Sequence, residues 1–238
     1  MVDPNIAYQL EQGDLAIPPT GRPVIYATQG VISSGHYLTS MAGMRILVAG
    51  GNAFDALVAA SFAAAVVEPI ASYSLGAEGV FMLRDAASNR ILSLSGQGGA
   101  PAKATAAFYL DQGLKSIPTG PGPLAPLSFT VPGVVHALLS MLERYGTKPV
   151  AEILAPAIEY SERGIPNYEY MLSRLGAMNA LDQFDEFPPG GSEIFYHDRK
   201  IPVPGTLLTQ KTLSGVLKTM VKASRMTGSK DRSSGIRA

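Results

Sequence analysis

Ser33, Ser34 and His36 fall within one short stretch, GVISSGH. A serine near a histidine is the raw material of nucleophilic hydrolysis. Their adjacency argues against that use, because neighbouring residues on an extended chain point to opposite faces and the hydroxyl and imidazole do not converge. A Gly-x-Ser-x-Gly elbow occurs nowhere in the chain. There is no cysteine, which removes thiolate nucleophiles, thiolate metal sites and disulfides. The three histidines, His36, His136 and His197, lie far apart and lack the helical spacing of a metal-binding pair. Glu68, Glu78 and Asp85 are scattered and form no pair with glycosidase or metal-site spacing. Glu78 is the odd charge in LGAEGVF, and it reads either as a solvated turn residue or as a polar group on a pocket rim. The glycine-rich stretches GGNAFD and GQGGAP fail as phosphate loops, since the first lacks the Walker lysine and the second fits no dinucleotide fingerprint. Tight turns beside helices account for both. The residues alone define no self-contained active site.

Nineteen basic and nineteen acidic residues cancel in a chain of 238. That balance gives no electrostatic case for a nucleic acid or an anionic membrane as partner. Charged residues make up 16% of the chain, below the usual share of roughly a quarter, while hydrophobic residues make up 46%. Much surface is therefore expected to be buried, within the chain or against a partner. The opening MVDPNIAYQLEQGD has neither a basic start nor an apolar core, so no signal peptide is expected. The most apolar run, ALVAASFAAAVVEP, is too short to span a bilayer, and the expected location is the cytoplasm.

Residues 1–22 read as an extended N-terminal arm punctuated by Pro4, Pro18 and Pro19. The β-branched stretch 23–34 reads as a strand. Residues 36–69 predict an αα-hairpin. Gly50 and Gly51 end its first helix, Asn52 caps the second with Asp55 completing a capping box, and Pro69 stops it. Alanines 56, 59, 60, 63, 64 and 65 give that second helix a small-residue face for close backbone approach. Residues 79–97 alternate around DAASN and predict a β-hairpin. A helix is expected at 101–110. Pro118, Pro121, Pro123, Pro126 and Pro132 make 117–133 a long loop. Further helices are expected at 133–146, at 150–164 with a kink at Pro156, and at 168–181. Residues 182–205 read as loop with a short strand near Ile194. A helix at 208–225 is expected to begin at a threonine cap, and 226–238 to be a flexible C-terminal end.

The stretch GVISSGHYLTSMAGMRILVAGGNAFDALVAASFAAAVVEP closely resembles the early large-subunit signature of the γ-glutamyltransferase family. The resemblance continues through GVFML, APAKAT, VPGVVHALLSMLERYGTKPVAEILAPAIEYSERGIP and PGTLLTQKTL, covering about residues 23–215. It implies an α+β fold, a four-layer αββα sandwich of the N-terminal-nucleophile hydrolase type completed by a partner small subunit. Residues 23–225 would form the large-subunit portion of that domain. The family's precursor cleaves itself, and the new N-terminal threonine of the small subunit attacks the substrate with its own amine as base. The acyl-enzyme passes to water or to an amine. The resemblance thus implies no cofactor, no metal and no catalytic residue within this chain, which contains no Thr-Thr-His-x-Ser-like processing site near its end. It implies two partners, a small subunit carrying an N-terminal threonine and a small amide or γ-glutamyl-like substrate.

In the family the loop matching SGQGGAP reads like Asp-x-Arg-Glu-x-Ala-Pro, and its arginine grips the substrate α-carboxylate. Alignment on Ala100–Pro101 places Gln97 at the arginine position and Gly98 at the glutamate position. Gln97 is thus the candidate substrate-binding residue, and a neutral amide there forgoes a charge-assisted pair worth about 1.5–3 kcal/mol. The turn EPIASYSLGAEGVFML also departs from the family's glycine-rich version by its length and bulk. Both changes favour a relative that acts on another amide, of the cephalosporin-acylase-like or oxamate-amidohydrolase-like kind. The alternative is a catalytically inactive, truncated relative acting as a binding or scaffold protein.

Overall fold

The computed structural model describes residues 24–70, 73–118, 122–177, 180–187, 191–226 and 232–237. The chain divides into two units, Met1–Val31 and Ile32–Ala238. The expected N-terminal arm lies outside the described residues. Residues 24–34, expected as a strand, form none. Val24, Ile25 and Tyr26 are 77%, 69% and 91% exposed. Strand propensity acts through packing against neighbouring strands, and among the described residues these have no ladder partner to realise it.

The predicted αα-hairpin is present as α1 (Tyr37–Val48) and α2 (Ala53–Val67). Gly50, at φ +80°, takes the left-handed conformation that ends α1. Gly50 N–H donates to Leu47 C=O at 3.0 Å and Gly51 N–H to Ile46 C=O at 2.9 Å, the paired bonds of a Schellman ending. Asn52 Oδ1 accepts from Phe54 and Asp55 N–H while Asp55 accepts from Asn52 N–H at 2.9 Å, so the predicted capping box forms. The small residues let the helices approach closely. A Cβ built on Gly43 would lie 3.0 Å from Ala56 C=O and 3.3 Å from Ala60 Cβ. The other end of α2 precedes Pro69, which cannot continue it. Its last carbonyls, Val66 and Val67, accept from Gln210 Nε2 at 2.7 Å and Tyr168 Oη at 3.1 Å.

Apolar on all sides, α2 is the core helix, with Val58, Phe62 and Val66 fully buried. It packs on α1, on α4 (Val134–Tyr145) and on α5 (Val150–Arg163). Between α2 and α4 in the chain come the hairpin β1 (Val80–Asp85) and β2 (Arg90–Ser95), paired antiparallel from Val80↔Ser95 to Asp85↔Arg90, and the short helix α3 (Ala106–Asp111). The helix expected at 101–110 starts only at Ala106, because Thr105 caps it by accepting from Phe108 N–H. Helix α5 runs through Pro156 and ends at Gly164.

The later part departs more from expectation. Strand β3 (Ile165–Pro166) pairs with β4 (Leu207–Leu208), a two-residue ladder too short to show a period. The helix expected at 168–181 is described as α6 (Glu169–Ala177) and α7 (Ala180–Glu186). Ile194, expected near a strand, lies in helix α8 (Gly191–Phe195). Helix α9 (Lys211–Met226) starts after Gln210 and not at a threonine cap, since Leu208 is committed to β4. Residues 232–237, expected within a flexible end, form helix α10. Its Ile236 is buried, and Arg232 donates to Leu142 and Glu143 C=O at 2.5 and 2.8 Å, satisfying the last turn of α4.

Asp55 ties the hairpin to the α4–α5 turn. Its fully buried carboxylate accepts from Thr147 N–H, Thr147 Oγ1 and Lys148 N–H as well as Asn52 N–H. Burial alone would raise its pKa, but these hydrogen bonds outweigh burial and hold it below the ordinary 3.8. Asp55→Asn puts an amide donor against backbone N–H groups and is expected to lower unfolding free energy by about 2–4 kcal/mol in urea titrations. Because the folded pKa is depressed, the wild-type contribution is complete above 3.8 and is lost as pH falls from there through the folded value. The variant's stability curve should lack that acid limb.

Candidate functional site

Gln97 follows β2 on a loop whose backbone is tied to two other segments. Gly96 N–H donates to Gly79 C=O at 2.7 Å, and Val131 N–H donates to Gly99 C=O at 3.1 Å. Gly133 and Val134 N–H both donate to Ala77 C=O, at 3.3 and 3.2 Å. Segments 77–79, 96–99 and 131–134 therefore meet at the start of α4. The side chains of Glu78 and Gln97 are exposed on two of them. The hairpin supplies the rigid base: Phe81, Leu83, Leu92 and Leu94 face the core, with Leu83 5% exposed.

Tyr73 lies just before this junction, and its hydroxyl is buried with no hydrogen-bond partner among the described residues. Burial pushes its pKa up to about 12, so the phenol stays neutral and keeps an unused donor. Nothing in the residue pattern singles it out.

Ser34 and His36 are structural, and Ser33 is exposed. Ser34 Oγ donates to His36 C=O at 2.8 Å and lies 2.6 Å from Ser40 Oγ. His36 is the N-cap of α1, its Nδ1 accepting from Leu38 N–H at 3.2 Å, and its ring lies against Tyr37 and Tyr168. Glu68 accepts from Thr39 Oγ1 at 3.0 Å, tying the end of α2 to α1. His136 is exposed on α4, and His197 is exposed beside Asp198. Asp85 accepts from Ala87 N–H and Ser88 Oγ in the hairpin turn. Among the described residues no group of three or more His, Cys, Asp or Glu side chains could hold a metal ion. No described helix is long and apolar enough to cross a membrane.

Comparison with known proteins identifies the family of the chain. Residues 39–227 match the family described as gamma-glutamyltranspeptidase, and the chain belongs to that family. It is 31% identical over 199 residues to a glutathione hydrolase proenzyme of Bacillus subtilis, covering 79% of this chain and 31% of that protein. It is 36% identical over 196 residues to the acylase ACY 1 proenzyme of Pseudomonas sp. strain SE83, covering 80% of this chain and 34% of that protein. The Helicobacter pylori gamma-glutamyltranspeptidase structure superposes with a TM-score of 0.74 at 32% identity, over 84% of this chain and 56% of that one. The chain spans about a third of the length of the curated relatives it matches.

Sequence reasoning brought out Gln97 and the turn before β1, but not the contact of the Gln97 loop with residues 131–133. That contact joins backbones more than thirty residues apart in sequence. Only the density of glycine in GQGGAP and VPG hinted at it.

Burial holds the pKa of His36 below the ordinary 6.5, and the nearby Glu68 carboxylate only partly counters this. Protonation would take the Nδ1 lone pair that caps α1. The cap's stabilisation is therefore complete above 6.5 and is lost as pH falls through the lowered folded value. An NMR titration should give His36 an apparent pKa below 6.5, and His36→Ala should remove this pH-dependent share of stability.

Proposed function

We propose that this chain is the large-subunit portion of an N-terminal-nucleophile amide hydrolase or acyltransferase of the gamma-glutamyltranspeptidase family, acting together with a small subunit that carries the nucleophilic threonine. The family match across 39–227 carries the reading. The hairpin supports it. Its inner face covers the helices, while Val80, Met82 and Ile91 on the outer face are 67%, 82% and 71% exposed. A two-stranded sheet with apolar residues on both faces is half of a layered structure, and strands from a partner would complete an αββα sandwich. The names of the relatives include proenzymes, which fits a precursor cut into two polypeptides.

In this mechanism the threonine Oγ bonds to the substrate carbonyl carbon while the threonine amine takes the hydroxyl proton. The C–N bond breaks as that proton passes to the leaving nitrogen. Water or an amine then attacks the acyl ester, the ester C–O bond breaks to release the product, and a proton of the attacking water or amine passes to the threonine oxygen. This chain contributes Gln97, whose amide offers an acceptor and two donors to the acyl group. Gln97 itself carries no charge to pair with a substrate carboxylate, so the favoured substrates are amides with an acyl group smaller than, or charged differently from, γ-glutamyl. The relative named as an acylase fits that preference.

Intact-mass analysis and N-terminal sequencing of the purified enzyme should find a second polypeptide beginning with threonine. In that enzyme Gln97→Ala should lower kcat/KM by about 2- to 12-fold, the worth of a neutral hydrogen bond, with assembly intact. Gln97→Arg should raise cleavage of γ-glutamyl-p-nitroanilide. No effect of either substitution would assign Gln97 to the loop alone. No threonine-led partner together with no amidase activity would favour a non-catalytic binding protein.

A further inference from the structure

We propose that Gly98, through its contact with Val131, is the positioning residue for Gln97, so that the Val131–Gly133 segment acts as a clamp that sets which acyl groups the loop accepts. The inference rests on the reading of Gln97 as an acyl-site residue.

The contact is backbone against backbone. A Cβ on Gly98 would overlap the Val131 carbonyl oxygen and lie 2.5 Å from the carbonyl carbon. A Cβ on Gly133 would lie 2.8 Å from the Gly96 carbonyl carbon, and one on Gly96 would lie 2.7 Å from Ala137 Cβ. Neither peptide can swing aside as a side-chain tip would. Gly99 is different, since a Cβ there meets nothing within 4 Å. The pinned positions are thus the two that bracket Gln97, while the Gln97 side chain itself is exposed.

The clamp is anchored in turn. Gly133 is the N-cap of α4, and Val134, the first residue of that helix, is 1% exposed. Gly133 and Val134 N–H hold Ala77 C=O, and Val131 N–H holds Gly99 C=O. Moving Gln97 therefore requires shifting the start of a core helix or breaking these bonds. Side chains held this firmly select ligands by position as well as by type. From Ser95 to Pro101 the loop carries no charge, and Gln97 is its long polar side chain. It suits an acyl group that ends in a neutral hydrogen-bonding function such as an amide, and it leaves a carboxylate without a counter-charge.

The test uses the enzyme purified with its processed partner polypeptide. Succinamoyl-p-nitroanilide, whose acyl group ends in a neutral amide, is compared with succinyl-p-nitroanilide, which ends in a carboxylate. Wild type should prefer the neutral substrate. Gly98→Ala should raise its KM about 2- to 12-fold, up to the loss seen on removing the Gln97 side chain, with kcat changed less than about threefold. Pro132→Gly loosens the clamp without adding atoms and should act in the same direction. Gly99→Ala should leave KM at the wild-type value. Hydrogen exchange of the 96–99 amides gives a readout that needs no turnover, and it should speed up in Gly98→Ala and Pro132→Gly but not in Gly99→Ala. Unchanged exchange and KM in the first two, with KM raised in Gln97→Ala, would overturn the clamp. Faster exchange in those two with an unchanged KM in Gln97→Ala would instead remove the acyl-site reading, and the clamp's role in specificity with it.

Discussion

The buried carboxylate of Asp55 is the constraint on which the helical core depends. A carboxylate with no solvent exposure persists only where hydrogen bonds replace its hydration, and here it collects N–H and O–H groups from two separate parts of the chain. Those bonds lock the start of α2 to the turn between α4 and α5. Asn52 adds a second tie, its Nδ2 donating to Tyr145 C=O at 2.7 Å, and Phe54 stacks on Tyr145 with centroids 4.9 Å apart. One short motif, GGNAFD, therefore ends a helix, starts another and fixes a third against it. Gln210 and Tyr168 make the equivalent ties at the far end of α2.

The position of α4 set by this core matters at its other end. There the helix begins at Gly133, against the loop that carries Gln97 and the turn that carries Glu78. Structural order thus runs from a buried carboxylate, along one helix, to a surface loop with a neutral amide. Among the described residues, the wall of the site is backbone pinned at Gly96 and Gly98. Ser33 and Ser34 lie with the cap of α1, and the histidines are dispersed. That wall and the apolar outer face of the hairpin fit the proposed large-subunit portion of a two-polypeptide enzyme.

Much of this was legible in the sequence where the signals are local. Gly50, Asn52 and Asp55 act on neighbours within a few residues, so the αα-hairpin could be read from their order. The alternation around DAASN set the hairpin in the same way. What escaped depends on partners distant in the chain. Residues 24–34 have the composition of a strand but pair with no strand among the described residues. Ile194 sits in a short helix whose one turn carries no period. Residues 232–237 are polar and small, yet Ile236 and Arg232 dock them on the last turn of α4. At the site, the family resemblance drew attention to Gln97, whereas the role of Gly98 follows only from where Val131 lies.

The account's central claim is that the attacking hydroxyl belongs to another polypeptide. Trapping the acyl-enzyme by rapid acid quench with a chromogenic amide, followed by peptide mass mapping, tests it most directly. The acyl mass is predicted on an N-terminal threonine of a partner chain. An acyl group on Ser33, Ser34 or any other residue of this chain would contradict it.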